Sequence, residues 1–234
     1  MTMISVIIPV LNEAQALREH LPALQPLRAR GHELIVVDGG EDVQSKQACS
    51  AWVDRWISSD AGRALQMNAG AAQAHGEGLL FLHIDTLLPA TAAEVLEHVF
   101  STSGASWGRF DVRLSGSHPA FRVIEAMISL RSRVSGVATG DQALFVRREV
   151  FARAGGFPPI PLMEDVALSK RLRSLARPVC LRERVTTSSR RWERHGIART
   201  VCLMWWLRLL YVLGVAPETL HRLYIRKPAQ HNEK

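Results

Sequence analysis

Carboxylate and amide side chains follow three apolar runs of this chain. The runs, with the polar residues behind them, are Ile4–Val10 with Asn12 and Glu13, Leu34–Val37 with Asp38, and Leu79–Ile84 with Asp85. Carboxylates can hold Mg²⁺ or Mn²⁺ together with substrate phosphates, and an ionised Asp can accept hydrogen bonds from a base or a ribose hydroxyl. These residue types therefore suit a charged, phosphorylated ligand.

The runs that precede these residues are rich in leucine and β-branched side chains, as in buried parallel strands covered on both faces. Helical patterns separate them: Leu17, Leu21, Leu24 and Leu27 repeat at helical spacing, and Gly62–His75 is rich in alanine. This alternation predicts an α/β fold with a mostly parallel sheet flanked by helices. Because ligands bind beyond the carboxyl ends of such strands, we expect the acidic ends to share one crevice.

Prolines and alternating patterns predict further element boundaries. Pro22 and Pro26 could break the first helix in two, whereas Pro89 suits the first turn of a later helix. Period-two alternation predicts a strand over Trp107–Ser115, and helical spacing predicts a helix over Ala120–Val134.

Composition favours one globular domain over residues 1–234, because 47% of the residues are hydrophobic and 22% are charged. The cysteines are far apart in sequence: Cys49, Cys180 and Cys202. They predict neither a disulfide framework nor a CxxC metal site, so we expect a reduced, cytoplasmic setting. The first residues lack the basic segment and cleavage site of a signal peptide, and we expect none.

The formal net charge of +7 suits an anionic small ligand, a nucleic acid or an anionic membrane surface. Basic residues become more frequent after Arg109. The densest run contains Arg182, Arg184, Arg190, Arg191, Arg194 and Arg199.

Five motifs occur in the order seen in family 2 glycosyltransferases. They are Ile4–Glu13, Ile35–Gly40, Gly62-Arg63 with Asn68-Ala69-Gly70, Phe81–Thr86, and Met163-Glu164-Asp165. The chain resembles this family over nearly its full length. The variants His83-Ile84-Asp85, Gly140-Asp141-Gln142 and Ser189–Trp192 are more narrowly similar to a short bacterial subgroup.

The resemblance implies a GT-A fold and transfer of a sugar, with inversion, from a nucleoside diphosphate to an acceptor hydroxyl. A UDP-sugar is the first candidate donor, and the acceptor would be a carbohydrate or a lipid-linked molecule. In this interpretation residues 1–105 bind the donor, 106–194 form the acceptor and catalytic half, and 195–234 form C-terminal helices. No nucleic acid is expected as a partner.

By the same resemblance, the residues around the nucleotide would be Pro9, Asn12, Glu13, Asp38, Gly39, Arg63 and Asn68. Asp38 would contact the base, since a carboxylate can accept from the N–H of uracil. On the residues alone, Asp38 could equally be a turn residue before Gly39-Gly40.

Asp85 corresponds to the last acid of the family's DxD motif and would hold Mg²⁺ or Mn²⁺ with the donor phosphates. His83 stands in place of the first acid. An imidazole can bind Mn²⁺ or donate to a phosphate, so His83 is a second candidate ligand. Its alternative role is structural.

Asp165, preceded by Glu164, matches the acidic pair that supplies the general base in inverting relatives. A carboxylate within hydrogen-bond reach can accept the proton of an attacking sugar hydroxyl. The alternative is that both acids merely begin a helix, where negative charge is favourable.

Two further segments resemble acceptor and diphosphate elements: Gly140, Asp141 and Gln142, and Arg190, Arg191 and Trp192. Arginine binds phosphate oxygens bidentately. The second element departs from the family pattern, because Ser188 stands where that pattern has Gln or Arg. A solvated basic turn is the alternative.

The run Val201–Leu213 is apolar except at Arg208 and is too short to span a bilayer. It could be a buried helix, a contact in a homodimer, or a helix lying on the inner face of the membrane. Two other classes of protein stay open on the residues alone: a nucleotidyltransferase on a related scaffold, which would ordinarily carry a GxGxR-type loop, and a non-catalytic membrane-associated binding protein.

Overall fold

The fold is built on a mixed β-sheet, which has eight strands within the described residues. The structure, a computed structural model, describes residues 2–40, 42–101 and 105–225. The strands within these residues are β1 Ile4–Val10, β2 Glu33–Asp38, β3 Arg55–Ser58, β4 Gly78–Phe81, β5 Thr86–Leu87, β6 Trp107–Leu114, β7 Phe145–Arg147 and β8 Val179–Thr187. Their order in the sheet is β3-β2-β1-β4-β7-β6-β8-β5.

Helices flank this sheet, and the predicted α/β class is confirmed. The helices are α1 Ala14–Ala29, α2 Val43–Cys49, α3 Arg63–Gln73, α4 Ala92–Ser101, α5 Pro119–Ser135, α6 Arg148–Arg153, α7 Glu164–Leu175, α8 Arg190–His195, α9 Ile197–Val212 and α10 Pro217–Ile225. Short 3₁₀ turns lie at Ser50–Trp52 and Gly140–Gln142.

The strands β3, β2, β1 and β4 are parallel, so their carboxyl ends meet at one edge of the sheet. In register, Val10 lies beside Asp38, and Asp38 lies beside Ser58. Strand β7 pairs antiparallel with both β4 and β6, β8 runs parallel to β6, and β5 closes the order antiparallel to β8. The strands β5 to β8 carry the remaining segments for which the sequence predicts a functional role.

Strand β1 is buried on both faces, which explains its unbroken apolar sequence. On one face Ile8 belongs to the core cluster that contains Leu17 and Leu21 of α1. On the other face Ile7 belongs to the cluster that contains Met67 of α3.

Three boundaries differ from the sequence-based expectation. Helix α1 continues through Pro22 and Pro26, because its leucines stay packed on the sheet on both sides of the prolines. Strand β4 ends at Phe81, and the chain then turns, with the N–H of Thr86 donating to the carbonyl of His83. Helix α4 begins at Ala92 rather than at Pro89.

Strand β8 is not predicted by its sequence, which carries the charged residues Arg182, Glu183 and Arg184. The strand forms because it pairs with β6, and it leaves Arg182 and Arg184 exposed while burying Val185. Its last residue, Thr187, is followed closely by Arg190 and Arg191.

The C-terminal helices α9 and α10 pack together around a small core that includes Leu207 and Leu220. In α9 the buried side chains are Thr200 and Leu207, so of the three alternatives for this segment the buried helix does not apply within the described chain. Among the residues that the structure describes, no helix combines the length and the apolar character needed to cross a bilayer. Residues 226–234 of the predicted C-terminal helical region lie outside the described residues.

Candidate active site

A short strand pairing places Asp85 beside a run of arginines. Asp85 precedes β5, and Thr86 of β5 pairs with Thr187 at the end of β8, their hydroxyl oxygens 3.1 Å apart. The chain leaving β8 therefore passes Asp85. Together they line a cleft of about 680 Å³, the cationic cleft, whose charged and polar lining includes Asp85, Ser188, Arg190, Arg191, Arg194 and Arg199.

Hydrogen bonds within the protein orient Arg190 and Arg191, the two arginines of the predicted diphosphate element. Nε of Arg190 donates to Oγ of Ser188 at 3.1 Å. Arg191 donates to the hydroxyl of Tyr224, and its guanidinium carbon lies 3.9 Å from the centroid of the Tyr224 ring. Because guanidinium groups bind phosphate oxygens bidentately, this cleft can hold a diphosphate. The sequence gives no signal for the role of Tyr224, which comes from a helix near the end of the described chain.

Glu13, just beyond the end of β1, interacts electrostatically with residues of the cationic cleft. The pKa of Glu13 is raised, first by loss of solvent around its carboxylate and then by the charge of Asp85, whereas Arg63 and Arg190 lower it. Although Glu13 is an exposed residue as a whole, its carboxylate thus lies in the field of three charged neighbours. Asp85, Arg63 and Arg190 thus lie near enough to Glu13 to act on its charge.

The acid pair lies at the start of α7, where it meets the Gly140 turn. Oδ2 of Asp165 accepts a hydrogen bond from the N–H of Gly140 at 2.8 Å, and Oδ1 accepts from the N–H of Val166 at 2.7 Å. Glu164 and Asp165 line a small cavity with Gly140 and His83. This cavity is distinct from the cationic cleft, which Asp85 lines.

Burial dominates the protonation of the acid pair. Burial, followed by the charge of Asp165, raises the pKa of Glu164 to about 7, although Arg63 opposes the shift. Burial also raises the pKa of Asp165, against the lowering effect of its two backbone hydrogen bonds and of Arg208. The pair therefore holds a proton near neutral pH in the ligand-free protein, as expected for two carboxyls in one enclosed site.

His83 is enclosed rather than aimed at the cationic cleft. Its ring packs against Gly140, where an added Cβ would lie 2.6 Å from Cε1 of His83. Burial, and then the charge of Arg63, lower the pKa of His83 to about 3, so the imidazole is neutral. His83 and Asp85 line different cavities, which favours the structural alternative for His83.

The described residues contain no cluster of three or more His, Cys, Asp or Glu side chains that could hold a metal ion. A site made by Asp85 and substrate phosphates does not need such a cluster, because Mg²⁺ is commonly bound by one or two carboxylates plus phosphates. Asp85 fits this donor set, because Arg190 and Arg191 line the same cleft and can bind the phosphates that would supply the other oxygen ligands.

At the end of β2, Asp38 serves its own turn. Its Oδ1 accepts from the N–H of Gly40 at 2.8 Å and its Oδ2 from the N–H of Asp42 at 2.9 Å, and the side chain is buried. Asn12, in left-handed conformation with φ of 55°, packs against Gly40. Asp38 is therefore a turn residue that accepts hydrogen bonds from the backbone after β2. That it also contacts a nucleotide base stays a prediction. Pro9 is buried inside β1.

Gln66 of α3 joins the ends of β1 and β2, a role that the sequence analysis missed. Its Nε2 donates to the carbonyl of Val10 at 2.7 Å and to that of Val37 at 2.8 Å. One feature of the sequence indicates this role: the amide of Gln66 stands next to Met67 on the side of α3 that is buried.

A sequence profile described as Glycosyl transferase family 2 matches residues 5–155, well over half of the chain. The chain belongs to this family. The match includes the ends of β1 and β2, Asp85 and the Gly140 turn, whereas the acid pair and the arginines of the cationic cleft lie beyond it. No curated protein is similar enough in sequence to match the chain.

Solved structures show the same GT-A fold for this family 2 chain. TarS of S. aureus superposes with a TM-score of 0.66 at 17% identity, over 80% of this chain and 60% of that chain. The mannosyltransferase PcManGT from Pyrobaculum calidifontis, in complex with GDP-Man and Mn²⁺, superposes with a TM-score of 0.65 at 17% identity, over 96% of this chain and 70% of that chain. TarS in complex with UDP-GlcNAc superposes with a TM-score of 0.63 at 17% identity, over 80% of this chain and 58% of that chain. The chain thus spans about 60% of each of these two TarS structures, and the predicted family and fold are confirmed.

Two predicted site residues of this family 2 chain have internal partners instead. Nδ2 of Asn68 donates to the carbonyl of Phe157 at 2.8 Å, and its Oδ1 accepts from the N–H of Phe157 at 2.9 Å. Gln142 is fully buried, and its amide pairs with Thr139 and Ser132. Gln142 therefore does not face an acceptor, because its polar atoms are used within the protein.

Asp141 and Trp192 face a different depression from the two arginines. Both line a groove between α5 and α9. Trp192 also packs against an apolar cluster that includes Phe121 and Ile124. The predicted acceptor and diphosphate residues are therefore divided between this groove and the cationic cleft. Gly39 keeps its place at the end of β2, where its N–H donates to the carbonyl of Val10.

Proposed function

We propose that this family 2 glycosyltransferase moves a sugar from a nucleoside diphosphate to an acceptor hydroxyl with inversion. The observation that carries the proposal is the position of Arg63. Besides burial and other neighbours, the charge of Arg63 affects the pKa of Glu13 at the end of β1, of Arg191 in the cationic cleft and of Glu164 in the acid pair. Groups suited to the donor, the diphosphate and the proton therefore all lie within the electrostatic influence of Arg63.

The proposed donor is a nucleoside diphosphate sugar, with a UDP-sugar as the first candidate. The segment around Asn12, Asp38 and Gly39 would hold the nucleoside, and Arg190 and Arg191 would bind the diphosphate. The neighbouring structures support this donor class, since TarS was determined with UDP-GlcNAc and PcManGT with GDP-Man. A cytoplasmic location and the division at residues 105 and 194 stay predictions.

Asp85 would hold a divalent cation, Mg²⁺ or Mn²⁺, together with the donor phosphates. A cation bound there would offset the charge that develops on the leaving diphosphate. The arginines of the cationic cleft stabilise the same charge in a partly enclosed site.

Asp165 would act as the general base, in the position that the Gly140 N–H fixes. As the acceptor oxygen attacks the anomeric carbon, the bond from that carbon to the diphosphate breaks and the acceptor proton passes to Asp165. Glu164 shares this enclosed site, and the charge of an ionised Asp165 raises the pKa of Glu164. For this role Asp165 must be ionised, so the positive charge of a divalent cation bound nearby would favour catalysis.

Calorimetry with UDP and with GDP, each with and without Mn²⁺, tests the donor and the cation. Asp85→Ala should lose the part of the affinity that depends on Mn²⁺. Glu77→Gln is the matched control, because Glu77 is exposed next to the amino end of β4, away from the site. Equal affinity of wild type and Asp85→Ala in Mn²⁺ would remove Asp85 from the cation site.

The general base is tested separately with Asp165→Asn. This variant should still bind the nucleotide that wild type binds, and it should lose sugar transfer from the matching nucleotide sugar by about a thousandfold or more. Turnover at the wild-type rate would show that another group accepts the proton.

A further inference from the structure

Helix α5 presents a stripe of apolar side chains to solvent. Val123, Met127, Leu130 and Val134 recur every three or four residues, so they lie on one side of the helix. They are exposed by 61%, 45%, 62% and 81%. A contiguous exposed apolar surface of this kind marks an interaction site.

Helix α9 presents a second stripe, with two tryptophans. Trp205, Trp206, Leu209 and Val212 are each at least 50% exposed. Tryptophan is enriched where protein meets the boundary between membrane and water, because its ring is apolar and its N–H is polar.

The two stripes flank one groove of about 100 Å³. Met127 of α5 and Trp205 of α9 line this groove and also belong to the exposed stripes. The stripes and the groove therefore form one surface, which we call the apolar face. Asp141, Arg131 and Arg208 provide the polar lining of the groove.

Positive charge adjoins the apolar face. Met204 lines both the groove and the cationic cleft, and Arg194 and Arg199 of that cleft are exposed. The whole chain carries a formal net charge of +7. A second copy docked on this face by a two-fold axis would bring these arginines toward their own equivalents, whereas an anionic lipid surface would attract them.

We propose that the apolar face docks on an anionic lipid bilayer, with Trp205 and Trp206 at the interface and Arg194 and Arg199 toward the headgroups. Docking of this kind needs buried apolar area and electrostatic attraction together, and the face offers both. In a consequence that rests on the proposed function, the groove would open toward an acceptor carried by the bilayer.

The interior of the groove suits such an acceptor. Oδ1 of Asp141 and Nε of Arg131 are buried without a hydrogen-bond partner among the described residues. Both can bind the polar end of a molecule whose apolar part follows Met127 and Trp205. Asp141 directly follows Gly140, whose N–H holds Asp165, so a head group bound there would lie close to the proposed base.

Flotation of the full chain with lipid vesicles tests the docking. Vesicles of phosphatidylcholine alone and of phosphatidylcholine mixed with phosphatidylglycerol are compared at low and high salt, with no nucleotide present. We expect binding to the mixed vesicles only, weakened by salt. Trp205→Ser combined with Trp206→Ser should reduce this binding by about tenfold or more. Trp52→Ser is the matched control, because Trp52 is 38% exposed next to α2, outside the apolar face.

Sedimentation velocity of the wild type and the double variant decides whether the apolar face binds a bilayer or a second copy of the chain. A wild-type dimer that Trp205→Ser with Trp206→Ser dissociates, or a wild type that does not float with the anionic vesicles, would overturn the proposal. Equal flotation of wild type and the double variant would also overturn it. Thermal unfolding of the variants checks that they fold, and the salt dependence of wild-type flotation tests the charge argument without any variant. Because flotation needs neither donor nor turnover, its failure is distinguishable from failure of the proposed transfer.

Discussion

The ring of His83 packs so closely on Gly140 that no side chain fits between them. A Cβ at position 140 would lie 2.6 Å from Cε1 and 2.7 Å from Nε2 of His83. The same glycine donates its N–H to Asp165. His83 thus packs on the turn that positions the proposed base.

Gly140→Ala should therefore disturb both neighbours. The added methyl group must displace the His83 ring or the turn, which costs about 1–3 kcal/mol in a packed region. We expect a lower free energy of unfolding in urea and a loss of transfer by tenfold or more. The rescue variant is Gly140→Ala combined with His83→Ala, which removes the clashing ring. If the double variant is no more stable than the sum of the two single changes predicts, the contact does not cause the effect.

Glu164 should make stability depend on pH in the ligand-free protein. Its pKa is raised by burial, and then by Asp165, from 4.5 to about 7, so the folded protein keeps a proton that the unfolded chain releases between these pH values. The free energy of unfolding should fall as pH rises through this window, by up to about 1.4 kcal/mol per unit, and stay reduced above it. Urea unfolding at several pH values, with a chelator present, measures this slope.

Glu164→Gln should reduce that slope, since the amide does not titrate, and the raised pKa of Asp165 supplies the remainder. Glu77→Gln should keep the wild-type slope, because Glu77 is exposed. A wild-type slope in Glu164→Gln would assign the pH dependence to another group.

Asn68 should act on the loop that follows α6 more than on the nucleotide. Asn68→Ala removes both hydrogen bonds to Phe157, and we expect unfolding to become easier by about 1–3 kcal/mol. Proteolysis of the glycine-containing loop at Gly155 and Gly156 should become faster. Gln73→Ala, a change at the exposed last residue of the same helix, is the control. A variant that loses UDP or GDP affinity with unchanged stability would instead support a direct nucleotide contact.

The parallel half of the sheet could be predicted from sequence because its signals are local and redundant. Each residue of β1 and β2 is buried, so apolar runs mark most of their length. The leucines of α1 repeat at helical spacing and pack where that spacing places them. The polar residues that follow these strands then locate the edge of the sheet.

The other half could be predicted only in part: alternation indicates β6, observed at Trp107–Leu114, whereas β8 depends on a distant partner. β8 carries Arg182 and Arg184 on its exposed side and is defined by pairing with β6. Internal partners decide the roles of Asn68 and Gln142, whose amides suit a ligand and a buried contact equally well. The packing of Arg191 on Tyr224 joins helices that no sequence spacing relates.

Gln66 should control the geometry of the donor edge. Its amide donates to the carbonyls of Val10 and Val37, which end the strands that lead to Asn12 and Asp38. Gln66→Met keeps the volume but leaves both buried carbonyls without this donor, so we expect a loss of about 1–3 kcal/mol in unfolding free energy. Because the strand ends would lose the side-chain bridge between them, KM for the nucleotide sugar should rise more than kcat falls. Gln73→Met, at an exposed position of α3, is the matched control, and an equal effect of the two substitutions would show that the bridge does not order the donor edge.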